Sequence, residues 1–277
     1  MINNIYKKYR FLIARRVSQI SVMVLYVIAN LYGINILMGN LSSSLVAKTI
    51  PLSDPYAVLQ MFFAGAVISF DILLGAFFIL IFYMIVGGRA FCSWVCPVNI
   101  ITDLANYLRR RFGFNQIQKK QPASRNIRYW VIAISLVISF FMGVAAFELV
   151  SPISMVHRGI IFGLGFGWAA MLVIFLFDLF VLKNGWCGHI CPLGGFYSLV
   201  GRFSLIRVHH NADNCTACMK CKEVCPENQV LHMVTKTSIP VLSGECTNCG
   251  RCVEVCDDDA LNFSIKNLKK ENKNEVR

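Results

Sequence analysis

Apolar residues gather in four long runs with few internal charges, at 17–41, 58–86, 128–150 and 160–182. A helix needs roughly 20 residues to cross a hydrocarbon core, and each run reaches that length. The pattern therefore predicts an α-helical membrane protein with four transmembrane helices. The polar interval 42–55, rich in Ser, Pro and Asp, reads as a short outer loop between the first two.

A second pattern recurs where the runs end. Phe91-Cys92-Ser93-Trp94-Val95-Cys96-Pro97 follows the second run, and Trp186-Cys187-Gly188-His189-Ile190-Cys191-Pro192 follows the fourth. Beyond each proline, Val98, Ile101, Leu104, Ala105 and Leu108 match Leu193, Phe196, Leu199, Val200 and Phe203 at one offset. Steps of three and four describe one helical face, so each proline should open a short helix along the membrane surface. Each half is two spans, a Cys-x3-Cys-Pro motif and an interfacial helix. Both halves begin and end on one side, which makes them parallel repeats with their cysteine pairs at one depth.

After Ile206 the chain turns polar and the cysteines become dense. Cys215-x2-Cys218-x2-Cys221-x3-Cys225-Pro226 is echoed by Cys246-x2-Cys249-x2-Cys252-x3-Cys256. Three thiolates at this step wrap one face of a [4Fe-4S] cube, and the fourth ligates the other cube. Cys215, Cys218, Cys221 and Cys256 are thus expected to hold one cluster, and Cys246, Cys249, Cys252 and Cys225 the other. Zinc ribbons use separated cysteine pairs without a third cysteine at the same step, and disulfide frameworks need an oxidising compartment. Asp257 stands where the first run has Pro226, which weakens a turn without removing a ligand. Within this small α+β segment, 230–234 and 239–241 read as short strands, and His209 and His210 as surface residues. In outline, 1–16 is a basic arm, 17–206 a membrane domain, 207–264 a dicluster ferredoxin-like domain and 265–277 a charged, disordered tail.

Composition agrees with the runs: 56% of residues are hydrophobic and the mean hydropathy is +0.57. The run after the basic arm is too long for a signal-peptide core, so it should remain as a helix. The +12 charge gathers in two places: Lys7, Lys8, Arg10, Arg15 and Arg16, then Arg89, Arg109, Arg110, Arg111, Lys119, Lys120 and Arg125. The outer loops offer only Lys48 and Arg158. Both termini should therefore face the cytoplasm. Contact with anionic membrane lipid accounts for these basic residues, and no nucleic-acid partner is implied.

Two matched thiol pairs at one depth suggest that Cys92, Cys96, Cys187 and Cys191 bind an additional iron or iron-sulfur centre at the repeat axis. A dithiol redox pair, or packing alone, are the alternatives. Charges inside spans are costly and mark functional candidates. Asp71 falls in the second run, Glu148 and His157 near the outer face, and Asp178 and His189 near the inner one. Interhelical hydrogen bonding is the plainer role for each. Phe91, Trp94, Tyr129, Trp130 and Trp186 suit an interfacial aromatic belt.

Four spans, two Cys-x3-Cys-Pro motifs and a C-terminal pair of [4Fe-4S] motifs together resemble the NapH/MauN family of ferredoxin-type membrane proteins, from the basic arm to Cys256. The resemblance implies a subunit of a bacterial inner-membrane quinol dehydrogenase. It implies oxidation of menaquinol or ubiquinol, with electrons passing through a periplasmic ferredoxin of the NapG type toward a periplasmic nitrate reductase. A quinol site must take up protons, so Glu148, His157, Asp178 and His189 become weak candidates for it. The same motifs leave open a membrane polyferredoxin for maturation or metal handling of a copper-containing oxidase or reductase. A large periplasmic flavin-bearing domain marks some of those proteins and no loop here is expected to hold one; an appended C-terminal β-domain marks others, and 21 residues follow Cys256.

Overall fold

The computed structural model describes residues 2–33, 37–47, 49–113, 126–163, 165 and 167–265. Lys48, Lys119, Lys120, Arg125 and the expected tail from 266 onward lie outside them.

In chain order, α1 (Ile2–Tyr32) leads to an antiparallel meander of β1 (Leu37–Gly39), β2 (Ser43–Val46) and β3 (Ile50–Ser53). Helices α2 (Pro55–Phe63), α3 (Phe70–Val86), α4 (Ala90–Trp94) and α5 (Val98–Arg111) complete the first half. The second half holds α6 (Ile127–Met142), α7 (Ala146–Val150), α8 (Pro152–Phe162) and α9 (Gly167–Leu176). Two π-helical turns, Phe177–Val181 and Trp186–Ile190, then precede α10 (Pro192–Val200). The C-terminal segment is β4 (Ile206–His210), α11 (Lys220–Val224), α12 (Arg251–Glu254) and β5 (Leu261–Ile265).

The apolar runs fold into shorter pieces than hydropathy suggests. In α1 the 22 residues Tyr9–Asn30 are long and apolar enough to cross a membrane, about 33 Å at 1.5 Å per residue. Phe70–Val86, Ile127–Met142 and Gly167–Val181 are apolar but shorter. Turns divide each of the last three runs. Gly143, for example, caps α6 at φ +66, a left-handed conformation that costs a side-chain-bearing residue about 1–2 kcal/mol. Large apolar side chains on these helices face outward, among them Phe77, Phe78, Phe82, Phe140, Phe141 and Trp168, a surface suited to lipid rather than water.

The interval 42–55, expected as a loop, is mostly β-structure, and the first helix stops at Tyr32 rather than Leu41. Strand β3 packs along α3, and a Cβ on Gly75 would lie 2.8 Å from the Pro51 carbonyl oxygen. The meander ends at Asp54, which caps α2 and accepts a 2.9 Å hydrogen bond from the Tyr197 hydroxyl. The supposed loop thus reaches a residue just downstream of the second cysteine pair. Asp71, placed by hydropathy well inside a span, sits exposed in the first turn of α3, where a helix favours negative charge.

Prolines 97 and 192 do stand at the starts of short helices, α5 and α10. Their buried faces differ from the expected stripe. In α5 the buried set is Val98, Thr102, Ala105, Asn106 and Arg109, while Leu104 is 49% exposed. Polar partners cause this rotation: Asn106 donates to Asn184 at 2.5 Å, and Arg109 to the Asp178 and Leu179 carbonyls. Helix α10 is buried on nearly every side. The halves meet closely, since a Cβ on Gly88 would lie 2.2 Å from the Tyr197 carbonyl oxygen.

In the C-terminal segment β4 pairs with β5, Val208 opposite Phe263 and His210 opposite Leu261. The expected strands at 230–234 and 239–241 do not form: Asn228–Leu231 is a short 3-10 turn and only Pro240 makes a bridge, to His209. Val230, Leu231, Met233 and Val234 instead fill the core from irregular backbone. His210, expected at the surface, is fully buried with Nδ1 2.8 Å from the Thr237 carbonyl oxygen.

Candidate functional site

Each ferredoxin-type run folds through the same unusual backbone. Ala217 and Met219 flank Cys218 in the left-handed region, as Asn248 and Gly250 flank Cys249. Alternating handedness turns successive N–H groups toward one point, making a concave nest of the kind that receives iron-sulfur clusters. Helices α11 and α12 start after these nests and carry the third cysteine of each run.

The fourth cysteines cross over. Cys221 interacts electrostatically with Cys215, Cys218 and Cys256. Cys225 does so with Cys246 and Cys249, and Cys252 with all three and, more weakly, with Cys221. Cys225, Cys246, Cys249 and Cys252 also line one small cavity walled by Val208, Val230, Leu231 and Val241. Burial pushes the Cys246 thiol up to about 11 and holds Cys225 and Cys252 above the ordinary thiol range, so only a bound cation would keep them as thiolates at neutral pH. Among the described residues no three His, Cys, Asp or Glu groups converge on a single-ion site. Cys225, Cys246, Cys249 and Cys252 border a volume rather than a point, and with the nests this donor set fits an iron-sulfur cube.

The cysteines of the two Cys-x3-Cys-Pro motifs are also gathered. Cys187 interacts with Cys92, Cys96 and Cys191, and Cys96 with Cys92 and Cys191. Cys96 and Cys191 are buried, Cys92 and Cys187 half-buried. Both clamps end in one wide turn: the Cys96 N–H donates to the Phe91 carbonyl at 3.0 Å and the Cys191 N–H to Trp186 at 2.9 Å. The Cys191 Sγ accepts from the Gly194 N–H at 3.5 Å. Phe91 stacks on Tyr197 with ring centroids 5.5 Å apart.

Arg89, fully buried three residues before Cys92, fastens the two cysteine systems together. It donates to Glu227 at 2.7 Å, to the Glu245 carbonyl at 3.0 Å and to the Cys187 carbonyl at 2.9 Å. Ser93 donates to the Thr247 carbonyl at 2.7 Å, and Trp94 to that of Asn248 at 3.1 Å. Asn184 bonds the Pro226 carbonyl, and Arg128 pairs with Glu245. A second small cavity lies between the systems, lined by Cys92 and Cys187 on one side and Cys249 on the other, with Arg89 among its walls.

The remaining candidates divide into two groups. Glu148 accepts from Ser42 at 2.7 Å and Ser154 at 2.9 Å, and His157 packs edge-on against Tyr26. Asp178 accepts from the Trp186 N–H at 3.1 Å and interacts with Cys187; His189 is buried in the following turn. Sequence reading missed Asp54, Tyr197, Asp103 and the buried arginines. Arg15, Arg89, Arg109 and Arg128 are among the largest fully buried side chains, so contact with lipid does not account for them. The one available signal was Arg89, placed beside a cysteine motif.

The nests, the crossed thiols and their shared setting define a ferredoxin-type iron-sulfur protein of the electron-transfer class. Family profiles concur: one described as a 4Fe-4S binding domain matches 68–115 and 164–209, the two repeat halves, and one described as a 4Fe-4S dicluster domain matches 207–257. The chain is 44% identical to the methylamine utilization ferredoxin-type protein MauN of Methylorubrum extorquens, over 83% of this chain and 80% of that one. It is 43% identical to the ferredoxin-type protein NapH of Haemophilus influenzae (80% and 77%) and 42% to NapH of Escherichia coli (82% and 78%). It belongs to the NapH/MauN family of ferredoxin-type proteins. No solved structure matches it.

Proposed function

We propose that this protein oxidises quinol at the cytoplasmic membrane and passes the electrons through iron-sulfur clusters toward a periplasmic nitrate reductase, by way of a NapG-type ferredoxin. Cys215, Cys218, Cys221 and Cys256 hold one [4Fe-4S] cluster, and Cys246, Cys249, Cys252 and Cys225 the other. Cys92, Cys96, Cys187 and Cys191 hold an additional centre. Four spans with both termini cytoplasmic complete the reading, the shorter apolar helices sharing the membrane with α1.

The observation that carries this is the cavity shared by Cys92, Cys187 and Cys249. It puts the membrane thiols beside the C-terminal ones, so electrons entering at the ferredoxin segment have a neighbour leading into the membrane domain. Bound clusters supply one-electron storage. The chain's own groups do the rest: the nests orient the thiols, apolar walls exclude water, and Arg89 fixes the separation.

The test adds a quinol analogue to the purified protein, alone and with its periplasmic ferredoxin, and follows cluster reduction by visible and EPR spectroscopy. Reduction by quinol is expected. Clusters that stay oxidised in both cases would sink the proposal. They would favour a second reading, suggested by the relatives named for methylamine utilization: electron supply to maturation or metal handling of a copper-containing oxidase or reductase.

A further inference from the structure

A third cavity lies outside the two thiol cavities. It has a volume of about 520 Å³ and is walled by α1, α5 and the ferredoxin segment. That volume falls within the range of small-molecule sites. Leu104, 49% exposed, and Tyr107, 52% exposed, stand at its surface, beside Ile100 and Leu12. Deeper in, Asp103 pairs with Arg15, Arg16 and Arg251. The site is thus apolar on one side and rich in fixed hydrogen-bond donors on the other.

Two observations tie it to redox chemistry. Its walls include Val224, Arg251 and Val255, the sequence neighbours of Cys225, Cys252 and Cys256. Arg15 lines this cavity, also lines the one beside Cys92, Cys187 and Cys249, and interacts electrostatically with Cys249. Arg16, which also lines this cavity and pairs with Asp103, keeps its side chain 23% exposed, so its guanidinium is within reach of an acceptor bound there.

We propose that this cavity is the quinol site, the ring lying against Leu104 and Tyr107 with an oxygen toward Arg16. The inference rests on the quinol reading above and moves its location away from Glu148, His157, Asp178 and His189. Both quinol O–H bonds break, and the protons pass to water at the cavity mouth. The ring gives up two electrons and leaves as quinone; iron-sulfur clusters held by the ferredoxin-segment thiols would supply the one-electron acceptors for them. A phospholipid headgroup could also meet these arginines, but it has no use for a position beside cluster ligands.

The experiment uses the purified, cluster-loaded full chain. Binding of a fluorescent hydroxyquinoline N-oxide is titrated, with and without competing anionic phospholipid, and a photoactivated azido-quinone is mapped by mass spectrometry. Label within 98–111 or on the α1 face around Arg15 is expected. Leu104→Trp and Tyr107→Ala should each weaken binding about tenfold, as a disturbed apolar pocket does, with iron content unchanged. Label confined to the segments around Glu148 and His157, or around Asp178 and His189, would overturn the location while leaving quinol oxidation standing. Displacement of the probe by phospholipid alone, and not by quinol, would make this a lipid site. Failure of the parent protein to bind the probe at all would count against the quinol reading itself.

Discussion

The two ferredoxin-type runs share one cysteine spacing and one backbone, yet their surroundings differ. In the set formed by Cys215, Cys218, Cys221 and Cys256, Cys218 is exposed and only Cys221 is buried. Its neighbours are surface groups, such as the exposed Lys220 and Asp257 pair at 2.8 Å. In the other set Cys225, Cys249 and Cys252 are all buried, and Arg89, Ser93 and Trp94 clamp the run to the membrane domain. Spacing determines how thiols can grip a cluster; packing determines what that cluster can exchange electrons with. One set faces outward, and the other faces Cys92 and Cys187.

The strongest way to break this contrast is to release the clamp. Arg89→Met would remove the buried cation that pairs with Glu227, a loss of about 3–5 kcal/mol, read as a lower denaturant midpoint for loss of visible cluster absorbance. Glu227→Gln in the same chain should recover part of it. Next come the ligands. Cys249→Ala is expected to remove the inward cluster, read by iron content and EPR. It should also abolish reduction of any membrane-domain centre. Cys218→Ala should remove only the outward cluster and leave the inward signal in place. Unchanged quinol-dependent nitrate reduction in that variant would take the outward cluster off the main route. Replacing Cys92 and Cys187 together by Ser should lower iron content while both ferredoxin signals persist. Iron equal to the parent's would end the case for an additional centre.

Smaller effects sharpen the comparison from outside the thiols. Asp54→Asn weakens the bond from Tyr197 and the cap of α2, about 1 kcal/mol of stability by thermal melting. Lys220→Ala at the exposed pair should leave the melting temperature unchanged, since such surface pairs contribute little.

What could be read in advance follows the range of the forces involved. Cysteine spacing is a local constraint, and the matched left-handed turns around Cys218 and Cys249 follow from it. Prolines 97 and 192 act on their own backbone, and the helices they open are where they were expected. Long-range partners were invisible. Nothing near Asn106 or Arg109 signals that Asn184 and the Asp178 carbonyl will turn them inward, so α5 buries a polar face where its apolar stripe suggested another. Hydropathy counts Arg15 and Arg128 as solvated charges, because it cannot register carboxylates supplied from Asp103 and Glu245. The turn at Gly143 was present in the sequence, but an average over an apolar run hides a single glycine.

The pairing of β4 with β5 has a consequence for biogenesis. The walls of the inward thiol cavity include Val208 of β4, and β4 forms its sheet with Leu261–Ile265, past the last cysteine of the chain. Until that stretch leaves the ribosome, β4 has only its backbone bonds to 239–241, the sheet is incomplete, and the buried thiols remain within reach of a cluster donor. Afterwards the donor would have to reopen a sheet and a clamped interface. Cluster insertion is therefore best timed to the end of synthesis, before the segment settles onto the membrane domain.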